Sequence, residues 1–259
     1  MNRLLDIGFE PAGHWTLVDS ELRLELVKHM ARSNVLYAFV CDGAVMYVGK
    51  TTKPLAFRMA QYRRGHRSQR TNAANHDLIR ERLAAGQAIA ILALPDNGLM
   101  RYGKFHLNLA AGLEDDLIRV LSPPWNGGRP EPAEPEPQPG GPIGLLEAEA
   151  EAEAEALMTP SYTFNITLQD TYFRRGFFNV SVNDQKHIGA DGETIEFYLD
   201  GQELPVKGII DRRAQSNGTP RLSGGKALRD WFQTKSGLMG TIEVGVMSPN
   251  SIRLRSVAN

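Results

Sequence analysis

The chain has 259 residues, 29 of them Lys or Arg and 30 Asp or Glu, for a net charge of −1, and 42% are hydrophobic. That length fits one large domain or two small ones, and the apolar share excludes a disordered chain. A single cysteine, Cys41, excludes an intrachain disulfide and a thiolate zinc site. No apolar run reaches the roughly 18 residues needed to span a bilayer, and Asp6 and Glu10 break up any signal-peptide core. A soluble cytoplasmic protein is expected.

The charge is unevenly spread. Residues 1–130 carry 17 basic and 12 acidic side chains, 131–160 carry 8 Glu and no base, and 161–259 are again mildly basic. Near-neutrality is therefore no argument against a polyanionic partner.

In chain order, Ser20 caps a predicted helix running to about Arg32, with Leu22, Leu26, Val27 and Met30 on one face. Val35–Val40 and Val45–Val48 read as strands of a hairpin turning at Asp42-Gly43. Helices are predicted over Pro54–Arg64 and Ala74–Ala85, a strand over Ala88–Leu94, and a helix over Leu113–Leu121, stopped by Pro123-Pro124. Pro130–Pro142 reads as extended chain. The Glu147–Ala156 alternation puts Glu at i and i+4, where like charges repel, so any helix there is expected to be marginal. The whole of 131–160 is expected to be a solvated acidic linker; competition of its Glu run with nucleic acid for a basic face is the sharper alternative. Beyond it, strands are predicted over Tyr162–Leu168, Phe177–Val182, Thr194–Leu199 and Thr241–Val246, with one helix near Gly225–Thr234, a pattern of a small barrel.

Two helices place charge where apolar residues belong. Leu55, Met59 and Tyr62 form a stripe that includes Arg58, and Glu114 shares the face of Leu117, Ile118 and Leu121. A partly buried charge must be paired or bound to a metal, so either these two pair with each other or they serve a site. Asp115 and Asp116 read as a solvated face. Tyr37, Tyr47 and Lys50 lie on the adjoining hairpin. Two phenols, a Lys and an Arg converging with a Glu are the groups that phosphodiester hydrolysis needs.

Val35-Leu36-Tyr37, Tyr47-Val48-Gly49-Lys50, Arg58, Glu114 and Asn126 resemble, in order and spacing, the GIY-YIG nuclease family. The resemblance covers about residues 34–128. Gln69-Arg70-Thr71-Asn72, His76 and Ser122-Pro123-Pro124-Trp125-Asn126-Gly127 resemble its restriction-enzyme branch. The first tripeptide departs from the pattern, reading Val-Leu-Tyr. The resemblance implies an α/β nuclease domain with a small mixed or antiparallel sheet over residues 1–130. It implies Glu114 as ligand of one Mg²⁺ or Mn²⁺ and Tyr37 as acceptor of the water proton, with Tyr47 in support or the two roles exchanged. It further implies Arg58 and Lys50 as phosphate clamps, Tyr62 as a catalytic or positioning group, and Asn126 fixing the metal or its water. A tyrosine base requires neighbouring cations to lower its pKa. His66 and His76 read as surface or phosphate-contacting groups.

Residues 161–259 are similar to the B3-like DNA-binding pseudobarrel. The likeness rests on Phe173-Arg174-Arg175-Gly176-Phe177-Phe178-Asn179-Val180, on Ile195–Gly201, and on Arg221-Leu222-Ser223 through Leu228–Phe232. It implies a groove-gripping surface of Arg174, Arg175, Arg212, Arg213, Gln215, Ser216, Asn217 and Arg221, each of which alone also reads as a solvated loop residue. Trp231 and Phe232 read as core. The expected function is a site-specific restriction endonuclease acting on double-stranded DNA as a homodimer or higher oligomer, with no membrane partner. The alternatives are a DNA-binding regulator with an inactive nuclease domain, and a repair or mobile-element nickase.

Overall fold

The computed structural model describes residues 2–65, 70–127, 142–202 and 204–257. The chain divides into two compact units, Met1–Met158 and Thr159–Asn259. Among the described residues no helix is long and apolar enough to cross a membrane.

The first unit is built on a five-stranded sheet: β1 (Glu10–Val18), β2 (Glu21–Leu26), β3 (Val35–Cys41), β4 (Ala44–Thr51) and β5 (Ile89–Pro95), in the order β2-β1-β5-β3-β4. Every neighbouring pair is antiparallel. Strand β3 is buried at all of its positions because both faces of the sheet are covered. Leu36, Ala38 and Val40 share a core with Val48, Leu92, α1 (Asn2–Asp6) and the apolar side of α4 (Leu109–Leu121). Tyr37 and Phe39 point the other way, into an aromatic cluster with Tyr47, Tyr62 and Trp15. That face lies under α2 (Leu55–Arg64), which packs against α3 (Arg70–Ala84).

The helix expected over 20–32 is instead the strand β2. Leu22 and Leu26 are buried while Glu21, Arg23 and Glu25 are exposed, a period of two that the helical spacing of 22 and 26 obscures. Asp19 and Ser20 both have positive φ, forming the two-residue turn that suits the twist of a hairpin, so Ser20 turns the chain and caps nothing. Strands β3, β4 and β5 and helices α2, α3 and α4 match their expected types, whereas α1 and β1 are absent from the sequence-based reading. Helix α4 starts four residues before its expected N-terminus because the Asn108 side chain caps it, accepting from the Ala110 and Ala111 amides. A short hairpin, β6 (Arg101–Tyr102) and β7 (Phe105–His106), precedes it.

The acidic segment is a second correction. Residues 130–141 lie outside the described part, but Pro142–Met158 forms a helix, α5, packed on α2. Ala150 and Ala154, one turn apart, are buried, whereas the intervening Glu residues are not. Burying two methyl groups contributes on the order of 1–2 kcal/mol. Repulsion between Glu at i and i+4 costs about 0.2–0.5 kcal/mol per pair. Lys53, Arg63 and Arg64 meet its carboxylates and offset that repulsion.

The second unit is a barrel-like seven-stranded sheet: β8 (Tyr162–Thr167), β9 (Phe177–Asn179), β10 (Thr194–Leu199), β11 (Val206–Asp211), β12 (Arg221–Ser223), β13 (Thr241–Ser248) and β14 (Ser251–Ser256), in the order β8-β13-β14-β10-β11-β12-β9. Only β10 and β14 run parallel. All seven strands feed one core, which Leu228, Trp231 and Phe232 of α7 (Gly225–Lys235) complete, so the two aromatic residues are core as expected. Strands β11, β12 and β14 and the short helix α6 (Asp170–Arg175) are absent from the sequence-based reading, and β9 is shorter than expected.

Gly176 closes α6 with φ of 69°, and a Cβ there would lie 2.0 Å from the Gly225 carbonyl oxygen. Gly176→Ala is expected to destabilise the second unit by about 1–3 kcal/mol while leaving the first unit's unfolding unchanged, as followed by denaturant titration with near- and far-UV circular dichroism.

Candidate active site

Strand β4 is an edge strand, and the candidate groups gather on both of its faces. On the α2 face, Tyr37, Tyr47 and Tyr62 bring their hydroxyls together: Tyr37 to Tyr62 at 2.9 Å and Tyr62 to Tyr47 at 3.1 Å. Arg58 is half-buried beside them. Its Nε donates to the Tyr37 oxygen at 3.0 Å, its Nη2 to the Tyr62 oxygen at 2.9 Å and its Nη1 to Gln61 Oε1 at 2.8 Å. The guanidinium also lies 4.5 Å from the centre of the Tyr62 ring. Remaining donors of its fork are available to a further oxygen.

Gly49 makes this packing possible. It pairs with Tyr37 across the hairpin, and a Cβ on it would lie 2.7 Å from Tyr47 Cε1 and 2.8 Å from the Tyr37 oxygen. A side chain at that position would displace both rings.

On the other face, Lys50 Nζ reaches Glu114 Oε2 of α4 at 2.8 Å. Glu114 is also close enough to Tyr47 for its charge to act on that phenol. The two faces thus meet around the Gly49 position. Arg58 and Glu114 do not pair with each other, which leaves the first of the two sequence-based alternatives aside: Arg58 is held by phenols and an amide, Glu114 by Lys50.

Asn126 secures the strand itself. Its Oδ1 accepts from the Val48 amide at 2.9 Å and its Nδ2 donates to the Val48 carbonyl at 2.7 Å. A carboxamide that replaces a missing strand partner satisfies an edge that would otherwise be open. Asn126 therefore positions Tyr47 and Lys50 through β4. His76 is likewise a bracing group, its Nδ1 3.0 Å from the Tyr62 carbonyl oxygen and its ring against Gly65. His66 lies outside the described residues.

Tyr47 and Tyr62 are held neutral. Burial pushes the Tyr62 pKa well above its ordinary value, with Arg58 opposing only in part. Burial also raises that of Tyr47, reinforced by Tyr37 and Glu114 and opposed by Arg58. Burial disfavours the Arg58 charge, but the surrounding phenol oxygens outweigh it and its pKa stands well above the ordinary value. The Glu114 hydrogen bond raises that of Lys50. Tyr37 is fully buried and Tyr47 is 8% exposed.

Among the described residues no group of three or more His, Cys, Asp or Glu could hold a metal ion. A single carboxylate is nonetheless compatible with Mg²⁺, which keeps several waters and is commonly bound through one or two carboxylates together with substrate phosphate oxygens. Glu114, with Oε2 on Lys50, fits such a site as a carboxylate ligand.

In the second unit the expected DNA-contacting residues separate into kinds. Arg212 is engaged inside the fold, donating to the carbonyls of Gln185, Ile188 and Gly189, so it braces a loop and does not reach outward. Arg221 stacks on Phe177 at 4.3 Å and bonds Asn179. Asn217 Oδ1 closes a turn on Thr219, and Gln215 is half-buried. Arg174, Arg175 and Arg213 are exposed; Arg174 pairs with Asp170 at 2.7 Å and Arg213 with Asp191 at 2.8 Å. Helix α6 and the 212–220 loop meet opposite ends of the short β9–β12 pairing.

Gln61 and the cradle at Gly49 are the parts of the site that sequence reasoning missed. Gln61 stands three residues after Arg58, the helical spacing at which side chains meet.

No protein-family model matches the chain, and no curated protein does. Among solved structures, a mutant of bacteriophage T4 EndoII is similar at 21% identity, with 48% of this chain and 95% of that chain covered and a TM-score of 0.40. Restriction endonuclease HPY188I in complex with product DNA is similar at 16% identity, over 53% of this chain and 85% of that chain, with a TM-score of 0.32. The N-terminal domain of Helicobacter pylori LlaJI.R1 is similar at 11% identity, over 37% of this chain and 80% of that chain, also with a TM-score of 0.32.

A phenol whose folded pKa is raised contributes stability that is fully present below its unfolded value of 10.0 and is lost as the pH rises past it. The first unit is therefore expected to keep its stability between neutrality and pH 10.0 and to lose it above, with Tyr47 and Tyr62 ionising only as the unit opens. Absorbance at the tyrosinate band, recorded with circular dichroism through an alkaline titration, checks this; ordinary titration of all seven tyrosines without loss of structure would contradict it.

Proposed function

We propose that the chain is a GIY-YIG-type DNA endonuclease whose first unit hydrolyses a phosphodiester and whose B3-like second unit selects the sequence. The observation that carries the reading is the convergence of Arg58, three phenol hydroxyls, Lys50 and Glu114 around one edge strand. Arg58 offers its remaining donors to a non-bridging oxygen of the scissile phosphate, and its fork is fixed in advance by Tyr37, Tyr62 and Gln61. Tyr47, held by Tyr62, positions the attacking water through its phenol oxygen, and takes up the water's proton only as phenolate, after its own proton has passed to solvent. Lys50 stands ready to neutralise developing charge on the phosphate once substrate draws it from Glu114. A Mg²⁺ or Mn²⁺ ion on Glu114, when bound with DNA, supplies the positive charge that polarises the phosphate and lowers the pKa of Tyr47 and of water.

The exposed Arg174, Arg175 and Arg213 are the second unit's contacts to the duplex, with Gln215 and Asn217 on the same loop as Arg213. One catalytic centre cuts one strand, so a double-strand break requires two copies of the chain or two successive encounters.

Purified protein is expected to relax and linearise supercoiled plasmid with Mg²⁺ or Mn²⁺ and to be inert with EDTA. Glu114→Gln and Arg58→Ala should each lower the single-turnover rate by about 10²-fold or more, while Glu114→Gln retains DNA binding measured in EDTA. Full Mg²⁺-dependent cleavage by Glu114→Gln would remove Glu114 from the site.

A further inference from the structure

The alternating Glu-Ala run has a specific fit. Placing Ala150 and Ala154 against α2 puts Glu147 and Glu151 on one flank of the seam and Glu149 and Glu153 on the other. On the first flank Lys53 Nζ lies 3.7 Å from Glu147 and 3.9 Å from Glu151, with the ammonium over the Phe57 ring. On the second, Arg64 reaches Glu149 at 2.6 Å and Glu153 at 3.0 Å, and Arg63 also pairs with Glu153. Among the described side chains of 147–156 the contact is thus an alanine seam between two rows of ion pairs. These cations bracket Arg58 on its own helix, Lys53 just before α2 and Arg63 and Arg64 in its last turn.

We propose that Lys53, Arg63 and Arg64 form a track for the phosphate backbone of duplex DNA alongside the Arg58 site, and that α5 occupies this track as an intramolecular polyanion which DNA must displace. This rests on the nuclease reading above. Phosphates and glutamates compete for the same three cations, so the two states of α5 differ by an electrostatic exchange across a small apolar contact. Once α5 leaves, the repulsion along its own glutamates disfavours its helix and keeps it from closing again. The acidic run then sets a threshold: weak or fleeting contact leaves α5 in place, and a duplex held firmly by the whole chain removes it.

The test uses the full chain in EDTA with a fluorescent duplex of arbitrary sequence. Replacing Glu147, Glu149, Glu151 and Glu153 with Gln keeps side-chain size and helix propensity and removes the competing charge. Affinity is expected to rise about tenfold or more, and the slope of log K against log salt to steepen by up to about 2–3, near 0.9 for each phosphate gained. Adding Lys53→Ala, Arg63→Ala and Arg64→Ala should abolish both gains. Gains that persist in that background would reflect net charge alone and would overturn the proposal, as would an unchanged affinity in the Gln variant. Hydrogen exchange on the unaltered protein needs no substitution: amides of 147–157 should lose protection when duplex binds, and retained protection in the bound state contradicts the displacement. Absence of any duplex binding, by the unaltered chain and the Gln variant alike, would instead reject the nuclease reading itself.

Discussion

The first unit is organised around a guanidinium held partly out of water without a carboxylate to neutralise it. Arg58 is surrounded by phenol oxygens and an amide, all hydrogen-bonded to it, and burial holds Tyr62 among them neutral. Withdrawing a cation from solvent costs several kcal/mol unless it is paired, and hydrogen bonds and ring contact offset only part of that. The site is therefore short of one negative charge. On the proposed reading a phosphodiester supplies it. Burial of Tyr37, Tyr62 and Phe39 fixes the guanidinium in place before any ligand arrives, so little reorganisation is needed when charge develops.

Placing this cation beside an edge strand lets two faces of a sheet contribute to one site. Side chains alternate across β4, which would normally keep Tyr47 and Lys50 apart. The gap at Gly49 and the free edge allow both to be reached from one side, and Asn126 maintains that edge without adding a strand that would cover it. Helix α4 brings Glu114 to Lys50 by the same stripe that buries Leu113, Leu117 and Ile118. The charged position on an apolar face, visible in the sequence, is the consequence of that double duty.

Much of the first unit was legible for this reason. Charges on apolar helix faces and a hairpin marked by Asp42-Gly43 are local signals, and they led to Tyr37, Tyr47, Lys50, Arg58, Tyr62 and Glu114. What failed was non-local. Strand β2 alternates correctly, but two of its leucines also fit a helix, and only pairing with β1 decides between them. The acidic run was read as self-repelling, which it is in isolation; Lys53, Arg63 and Arg64, which offset that repulsion, lie elsewhere in the chain. Arg212 shows the same limit, since a loop arginine looks alike in sequence whether it faces solvent or, as here, three carbonyl groups. In the second unit β12 carries too few residues to show a period, whereas β11 and β14, six residues each, went unread until the sheet order assembled them.

The central claim is that this polar constellation cuts DNA with a divalent cation and that the second unit chooses where. The most direct measurement incubates the purified full chain with sequenced duplex DNAs, unmodified and base-modified, in Mg²⁺ or in EDTA, and maps every new end. The account predicts ends only with Mg²⁺, at discrete positions that share one short sequence. Tight binding to the same duplexes with no new ends under any condition would contradict it.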